Sequence, residues 1–206
     1  HLARAVDGAL GEQRGPRRGS GGSGKIEISR CGQEVLDRSC VEVDGERIVV
    51  RLTVGLPAAG RRVLGREAAR LLTERLPDLL ADTLPAKRHD PEVVRHHLDV
   101  IEDGDALRDQ LAARGWVAFV ADGAVLPRRA GNDDRPLQGE GVVPWRSPES
   151  LAATVELPHS GTIHGTGIPE GVTLITGGGY HGKSTLLQAL LRGVYDHIPG
   201  DGREQL

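Results

Sequence analysis

Along this chain a period of two alternates with a period of three to four, and the changes between them mark the elements. Residues 2–10 read as the tail of a helix, ended by GEQRGPRRGSGGSGK, whose Gly, Pro and Arg predict a flexible basic loop. KIEIS alternates as a strand does, and SCVEVDGERIVVRLTV is two alternating runs around Asp44-Gly45, a hairpin signal. From Gly65 to Leu84 the residues Ala68, Leu71, Leu72, Leu76, Leu79 and Leu80 recur at helical spacing, and Pro77 is expected to kink or divide that helix. A second helical pattern starts at Asp90-Pro91 and runs through Val94, Leu98 and Ile101, with a break expected near Gly104 and a stop at Gly115. WVAFVADG predicts a short buried strand. AVLPRRAGNDDRPLQGEGVVPWRSPES is a long connection rich in Pro and Gly, and it sets an expected domain boundary near Ser147. Beyond it AATVEL, GTIHG and GVTLITG are strand candidates, followed by a glycine loop and a helix. No internal repeat interrupts this order. The expected fold class is α/β, with a mixed α+β domain over 1–147 and a sheet, loop and helix over 148–206.

Composition sharpens this reading in three places. With 206 residues, 38% of them hydrophobic, the chain can build a core, but only 2% are aromatic, so Leu, Val and Ala must do most of the packing. The formal net charge of -3 is close to neutral and the bases are nearly all arginine; the lysines are Lys25, Lys87 and Lys183. Cys31 and Cys40 form no CxxC and have no His pair at ligand spacing, which points away from a zinc site or redox pair and toward a reduced, cytoplasmic chain. No apolar run has the length of a membrane span, and the start lacks the apolar core of a signal peptide. The sequence has no Met and stops at GDGREQL, so it is expected to be a fragment.

The chemistry is concentrated in GGGYHGKST. Gly177, Gly182, Lys183 and Ser184 satisfy GxxxxGK[ST], with Thr185 following. Glycines let the backbone curl with its N–H groups turned toward phosphate oxygens; here Gly177, Gly178, Gly179, Tyr180, His181 and Gly182 form that curve. Lys183 is placed to reach the terminal phosphates and serve the chemistry, and the Ser184 hydroxyl to ligate magnesium. The helix that starts near Lys183 adds the positive end of its dipole. GVTLIT before the loop and STLLQALLR after it, with Leu186, Leu187, Leu190 and Leu191 on one face, supply the required strand and helix. GSGGSGKI also matches GxxxxGK through Gly19, Gly24 and Lys25, but Ile26 follows the lysine and a strand, not a helix, comes next. That second loop is expected to be a solvated linker, or a basic loop touching nucleic-acid phosphate through Arg14, Arg17, Arg18 and Lys25.

GIPEGVTLITGGGYHGKSTLLQALLRGVYDHIPGDGRE, with FVADGAVLPRRAG and WRSPES ahead of it, resembles a family of predicted ATPases of the ABC class. The resemblance covers most of the chain from about Ile26. It implies a family-specific N-terminal domain joined to the opening strands, phosphate loop and first helix of an ABC-type P-loop domain. It also implies ATP and magnesium as ligands, and a homodimer formed through the complete domain. A Walker B carboxylate pair, glutamine loop, signature motif and switch histidine are not recognisable, so this chain is expected to bind nucleotide better than it hydrolyses it. No Phe, Trp or Tyr lies between Arg146 and Gly179 to stack on adenine; His159 and His164 are the candidates to substitute. His181 either donates to phosphate or fills its position, and Tyr180 either packs or contacts nucleotide. Asp196, His197, Asp201, Arg203 and Glu204 read as a solvated loop or a support for the site. Glu102, Asp103 and Asp105 read as a solvated helix break, and the paired His96-His97 point to different helix faces.

Two rival readings stand beside this one. The first is a nucleic-acid module gripping RNA or DNA through its Arg-rich loop and LPRR at Leu126–Arg129, with ATP controlling closure. The second is another P-loop NTPase or kinase. Neither needs a membrane.

Overall fold

The computed structural model describes residues 1–12 and 22–206. Its elements run α1 (Leu2–Glu12), β1 (Ile26–Glu27), β2 (Glu34–Val35), β3 (Val41–Asp44), β4 (Arg47–Val50), β5 (Thr53–Val54), β6 (Ala58–Ala59) and β7 (Arg62–Val63). Next come α2 (Gly65–Arg70), a π-helical turn (Leu71–Arg75), α3 (Leu76–Thr83), α4 (Pro91–Leu111), β8 (Trp116–Ala121), β9 (Arg128–Ala130) and β10 (Asp133–Pro136). The chain continues through β11 (Ala152–Leu157), β12 (Gly161–Pro169), α5 (Lys183–Arg192) and β13 (Asp196–His197). Helices and small antiparallel sheets make an α/β protein, arranged as two compact units: His1–Cys31 with Asp37–Val94, and Gly32–Leu36 with Arg95–Leu206. Ser147 falls inside the second of these.

In the first unit the expected hairpin forms between β3 and β4, with Val41 opposite Val50 and Asp44 opposite Arg47. The turn residues are Gly45 and Glu46, one position later than Asp44-Gly45. Gly45 takes φ 55°, which suits glycine at the first central position of a tight turn. KIEIS contributes β1, paired with β5. Val6 of α1, Ile28, Cys40 and Leu79 make the core, with Val50, Leu52, Leu80 and Leu84 packed around them. At Pro77 the helical run is divided, α2 and α3 being joined through the π turn, but it does not end. Proline has no N–H to donate and its ring crowds the carbonyl four residues back, and the wider π turn immediately before it absorbs that mismatch. Leu71 and Leu79 therefore both stay buried.

The second unit is a three-stranded antiparallel sheet in the order β11, β12, β8, with a helix on each face. On β8, Phe119 and Ala121 face Leu107 of α4 together with Val155 and Leu157 of β11. Val120, one residue out of phase, faces Ala189 of α5 with Leu126, Ile168 and Leu206. Period-two alternation on one strand thus serves two helices. Gly165 and Gly167 of β12 lie under aromatic rings: a Cβ would come within 2.3 Å of Phe119 and 2.4 Å of Trp116.

Three expectations fail here. The break near Gly104 is absent, because α4 runs unbroken to Leu111. Gly104 is buried, and a Cβ there would meet Asp196 Oδ1 at 3.1 Å, so the glycine serves a close approach. Asp103 is no solvated acid. It is 2% exposed, and its carboxylate accepts the N–H groups of His159 and Ser160, both at 2.8 Å, in the turn between β11 and β12. GVTLITG joins no sheet: residues 172–178 have no strand assignment, and Val172 and Leu174 are exposed. Other signals hold. Asp90 caps α4 by accepting the Glu92 N–H at 2.9 Å, and Gly115 ends its final turn in the left-handed region.

Candidate functional site

The glycine loop curls where the sequence demands backbone freedom. Gly177 has φ 146° and Gly182 has φ 79°, and Tyr180 is the non-glycine residue of the described set with positive φ, at 62°. Gly182 stands at the N-terminal cap of α5, where no side chain bonds the free N–H groups of the first turn. Lys183 folds back over the loop, its ammonium donating to the carbonyls of Gly177, at 2.8 Å, and Gly178. The His181 ring lies beside the same two glycines; a Cβ on Gly178 would meet its Cε1 at 3.1 Å. Gly177, Gly178, Gly179, Tyr180, His181, Gly182, Lys183, Ser184 and Thr185 thus form one continuous curve ending on a helix. Gly177 to Gly182 and Ser184 are exposed, while Lys183 and Thr185 are half-buried.

The donor set of this curve fits a phosphate chain. It offers a lysine ammonium, loop amides and an uncapped helix start, and between Glu170 and Asp196 the sequence has no acidic residue to repel an anion. The Ser184 hydroxyl on the first turn suits magnesium beside such a chain. Lys183 at present bonds loop carbonyls, and a phosphate would supply better charged partners for it.

The helix behind the loop is held from one side. Leu186, Ala189 and Leu190 pack on the β8 face of the sheet, whereas Leu187 and Leu191 are 49% and 65% exposed. The four leucines therefore span a wider arc than one buried stripe.

Beyond α5, where the sequence left a solvated loop or a support for the site open, the structure has a buried polar cluster. His197 is 2% exposed, Asp201 0% and Arg203 5%. Asp201 accepts two bonds from the Arg128 guanidinium, at 2.7 and 3.2 Å, and faces His197 Nδ1 at 2.7 Å. Arg203 donates through Nε to the Leu126 carbonyl at 3.1 Å. Burial, and then the like charge of Arg128, draws the Arg203 guanidinium down to about 10. The sequence groups these residues but does not show their burial, because the Arg128 partner of Asp201 lies far away along the chain. A clue was available in the Asp201-Gly202-Arg203 turn and the four-residue spacing from His197 to Asp201.

The remaining candidates are placed as follows. His159 bonds Glu102 at 2.6 Å through Nε2, and Thr154 Oγ1 lies 3.3 Å from His164 Nδ1. The hydrogen bond to Glu102 raises the His159 pKa, with Asp99 and Asp103 adding to it. Arg128 of LPRR is committed to Asp201. Lys25 pairs with Glu27 and leads into β1, so the second GxxxxGK match opens a strand as expected. Arg14, Arg17, Arg18 and Gly19 lie outside the described residues. Among the described residues no helix is long and apolar enough to cross a membrane.

Residues 90–206 match the model of the P-loop domain of an ABC-class ATPase, and residues 1–87 match the N-terminal domain of ATPases of the ABC class. An uncharacterized protein of Methanocaldococcus jannaschii is 36% identical over 104 residues, 48% of this chain. The match spans 23% of that relative, about a quarter of its length.

Proposed function

The chain belongs to the family of ABC-class ATPases, and from that premise we propose that residues 177–185 bind Mg-ATP. The observation that carries this reading is the loop closing around Lys183: two glycines at positive φ, a lysine drawn over the curve, and an uncapped helix start in an acid-free segment. In the bound state the amides of Gly177, Gly178, Gly179, Tyr180, His181 and Gly182 surround phosphate oxygens. Lys183 exchanges its two carbonyl partners for the terminal phosphates, where it neutralises charge that develops during transfer. Ser184 holds magnesium, Thr185 adds its N–H at the helix start, and His181 donates to phosphate from its place beside Gly177 and Gly178.

Hydrolysis belongs to the whole protein, acting as a cytoplasmic homodimer. The described residues bring no acidic side chain to the loop that could hold magnesium or orient water, so this chain binds nucleotide with little turnover. Calorimetric titration with Mg-ATP and Mg-GTP, repeated on Lys183→Ala, tests the proposal. Saturable binding that Lys183→Ala abolishes is expected. Equal binding by the variant sends the nucleotide to another site, and brisk phosphate release by the 206-residue chain refutes the division of labour.

A further inference from the structure

The buried cluster beyond α5 meets the phosphate-loop helix at its far end. Arg192 is the last residue of α5, and its carbonyl faces His197 Nε2 at 3.2 Å while accepting the Tyr195 N–H at 3.0 Å. The other ring nitrogen of His197 faces Asp201 Oδ2 at 2.7 Å. A carbonyl and a carboxylate only accept, so each bond takes its proton from the ring nitrogen that faces it.

The anchor behind this ring is firm. Asp201 is fully buried and held in two bonds by Arg128, itself 14% exposed. Strand β13, which carries His197, pairs with β2, where Glu34 takes the Arg192 guanidinium at 2.9 Å, and the Ile198 N–H donates to the Gln33 carbonyl. Among the described residues the loop at the other end of α5 has no comparable brace, since Gly182 caps the helix without a side-chain bond and residues 172–178 join no sheet.

We infer that His197 is a positioning residue for the phosphate loop, tying the C-terminal carbonyl of α5 to the buried Asp201–Arg128 pair so that the helix start presents its amides at a fixed place. This rests on the reading of residues 177–185 as the nucleotide site. A ten-residue helix is about 15 Å long, so His197 acts without touching nucleotide.

The test uses the whole chain. In the ¹⁵N-histidine-labelled protein the His197 ring N–H should exchange slowly, as a proton held in a buried hydrogen bond does; exchange at the rate of a solvent-exposed ring overturns the inference. In His197→Gln the α5 amides should exchange faster while those of β8 and β11 keep their protection. Mg-ATP affinity, and that of inorganic tripolyphosphate, should fall about tenfold. Asp201→Asn should act in the same direction, and serves if His197→Gln does not fold. Unchanged α5 exchange, or an equal loss of protection in α5, β8 and β11, marks a merely structural residue and refutes the proposal. If the native chain binds neither ligand, the nucleotide reading fails by itself, and the ring protons and α5 exchange still decide whether the tie exists.

Discussion

Replacing Asp103 by Ala removes a buried carboxylate that fastens α4 to the turn between β11 and β12. Two N–H groups, those of His159 and Ser160, donate to it at 2.8 Å. A hydrogen bond to a charged partner contributes about 1.5–3 kcal/mol, which sets a total of about 3–6 kcal/mol for the pair. Both turn residues are exposed, so water can replace the lost acceptor on their outer side, and the lower end applies: about 3 kcal/mol. Asn, which keeps one carbonyl oxygen, should lose about half of that. The assay is urea unfolding followed by tryptophan fluorescence. Trp116 and Trp145 both belong to the second unit, and the first contains no Trp, Tyr or Phe, so emission reports the unit that holds the substitution. With an m-value of about 2 kcal/mol per molar, the midpoint should drop by about 1.5 M for Ala and about half as much for Asn. A midpoint shift for Asp103→Ala below about 0.3 M would show that water satisfies the turn unaided, and would refute the view of Asp103 as a buried fastener.

Two further outcomes follow from the same unit. His159 has its pKa raised by the Glu102 hydrogen bond, with Asp99 and Asp103 assisting; its contribution to stability is therefore complete below the unfolded value near 6.5 and fades as pH rises through the higher folded value. Thermal midpoints of native and His159→Gln chains should converge as pH rises above the unfolded value near 6.5, and a gap that widens with pH contradicts the pairing. Gly167→Ala forces a methyl to within 2.4 Å of the Trp116 ring, which is stacked on Phe119 at a centroid distance of 5.9 Å. A loss of about 1–3 kcal/mol with altered tryptophan emission is expected, and native stability with native emission would count against that packing.

What could be read from the chain alone was local. Asp90 before Pro91, Gly115 after the last helical turn and the glycines of the 177–182 curve act through their own backbone or the next few residues, so their roles show in the letters. The failures all needed a distant partner. Gly104 looks like a helix breaker until Asp196 is brought against it, and Asp103 looks solvated until the β11–β12 turn arrives. A clue existed, since Asp103, Leu107 and Leu111 are spaced by four and share the buried face of α4, which should have set that acid apart from Asp105. Along α5 the leucine pattern announces a helix without saying which half of a wide apolar arc the sheet covers. GVTLIT has strand composition, but a strand exists only in a ladder, and among the described residues no strand pairs with it.

On the proposed reading of residues 177–185, that unpaired arm makes nucleotide affinity a quantity that something other than nucleotide can set. The trailing side of the loop is a packed helix, whereas among the described residues the leading side, residues 172–176, has no ladder to hold its backbone. If closing the loop on a phosphate chain fixes those residues, the entropic cost is about 1–2 kcal/mol for each one. A strand laid beside Val172 and Leu174 from elsewhere in a longer polypeptide, or from another chain, would meet that entropic cost in advance. By linkage it would tighten ATP binding, and bound ATP would in turn strengthen the strand's own docking by the same factor.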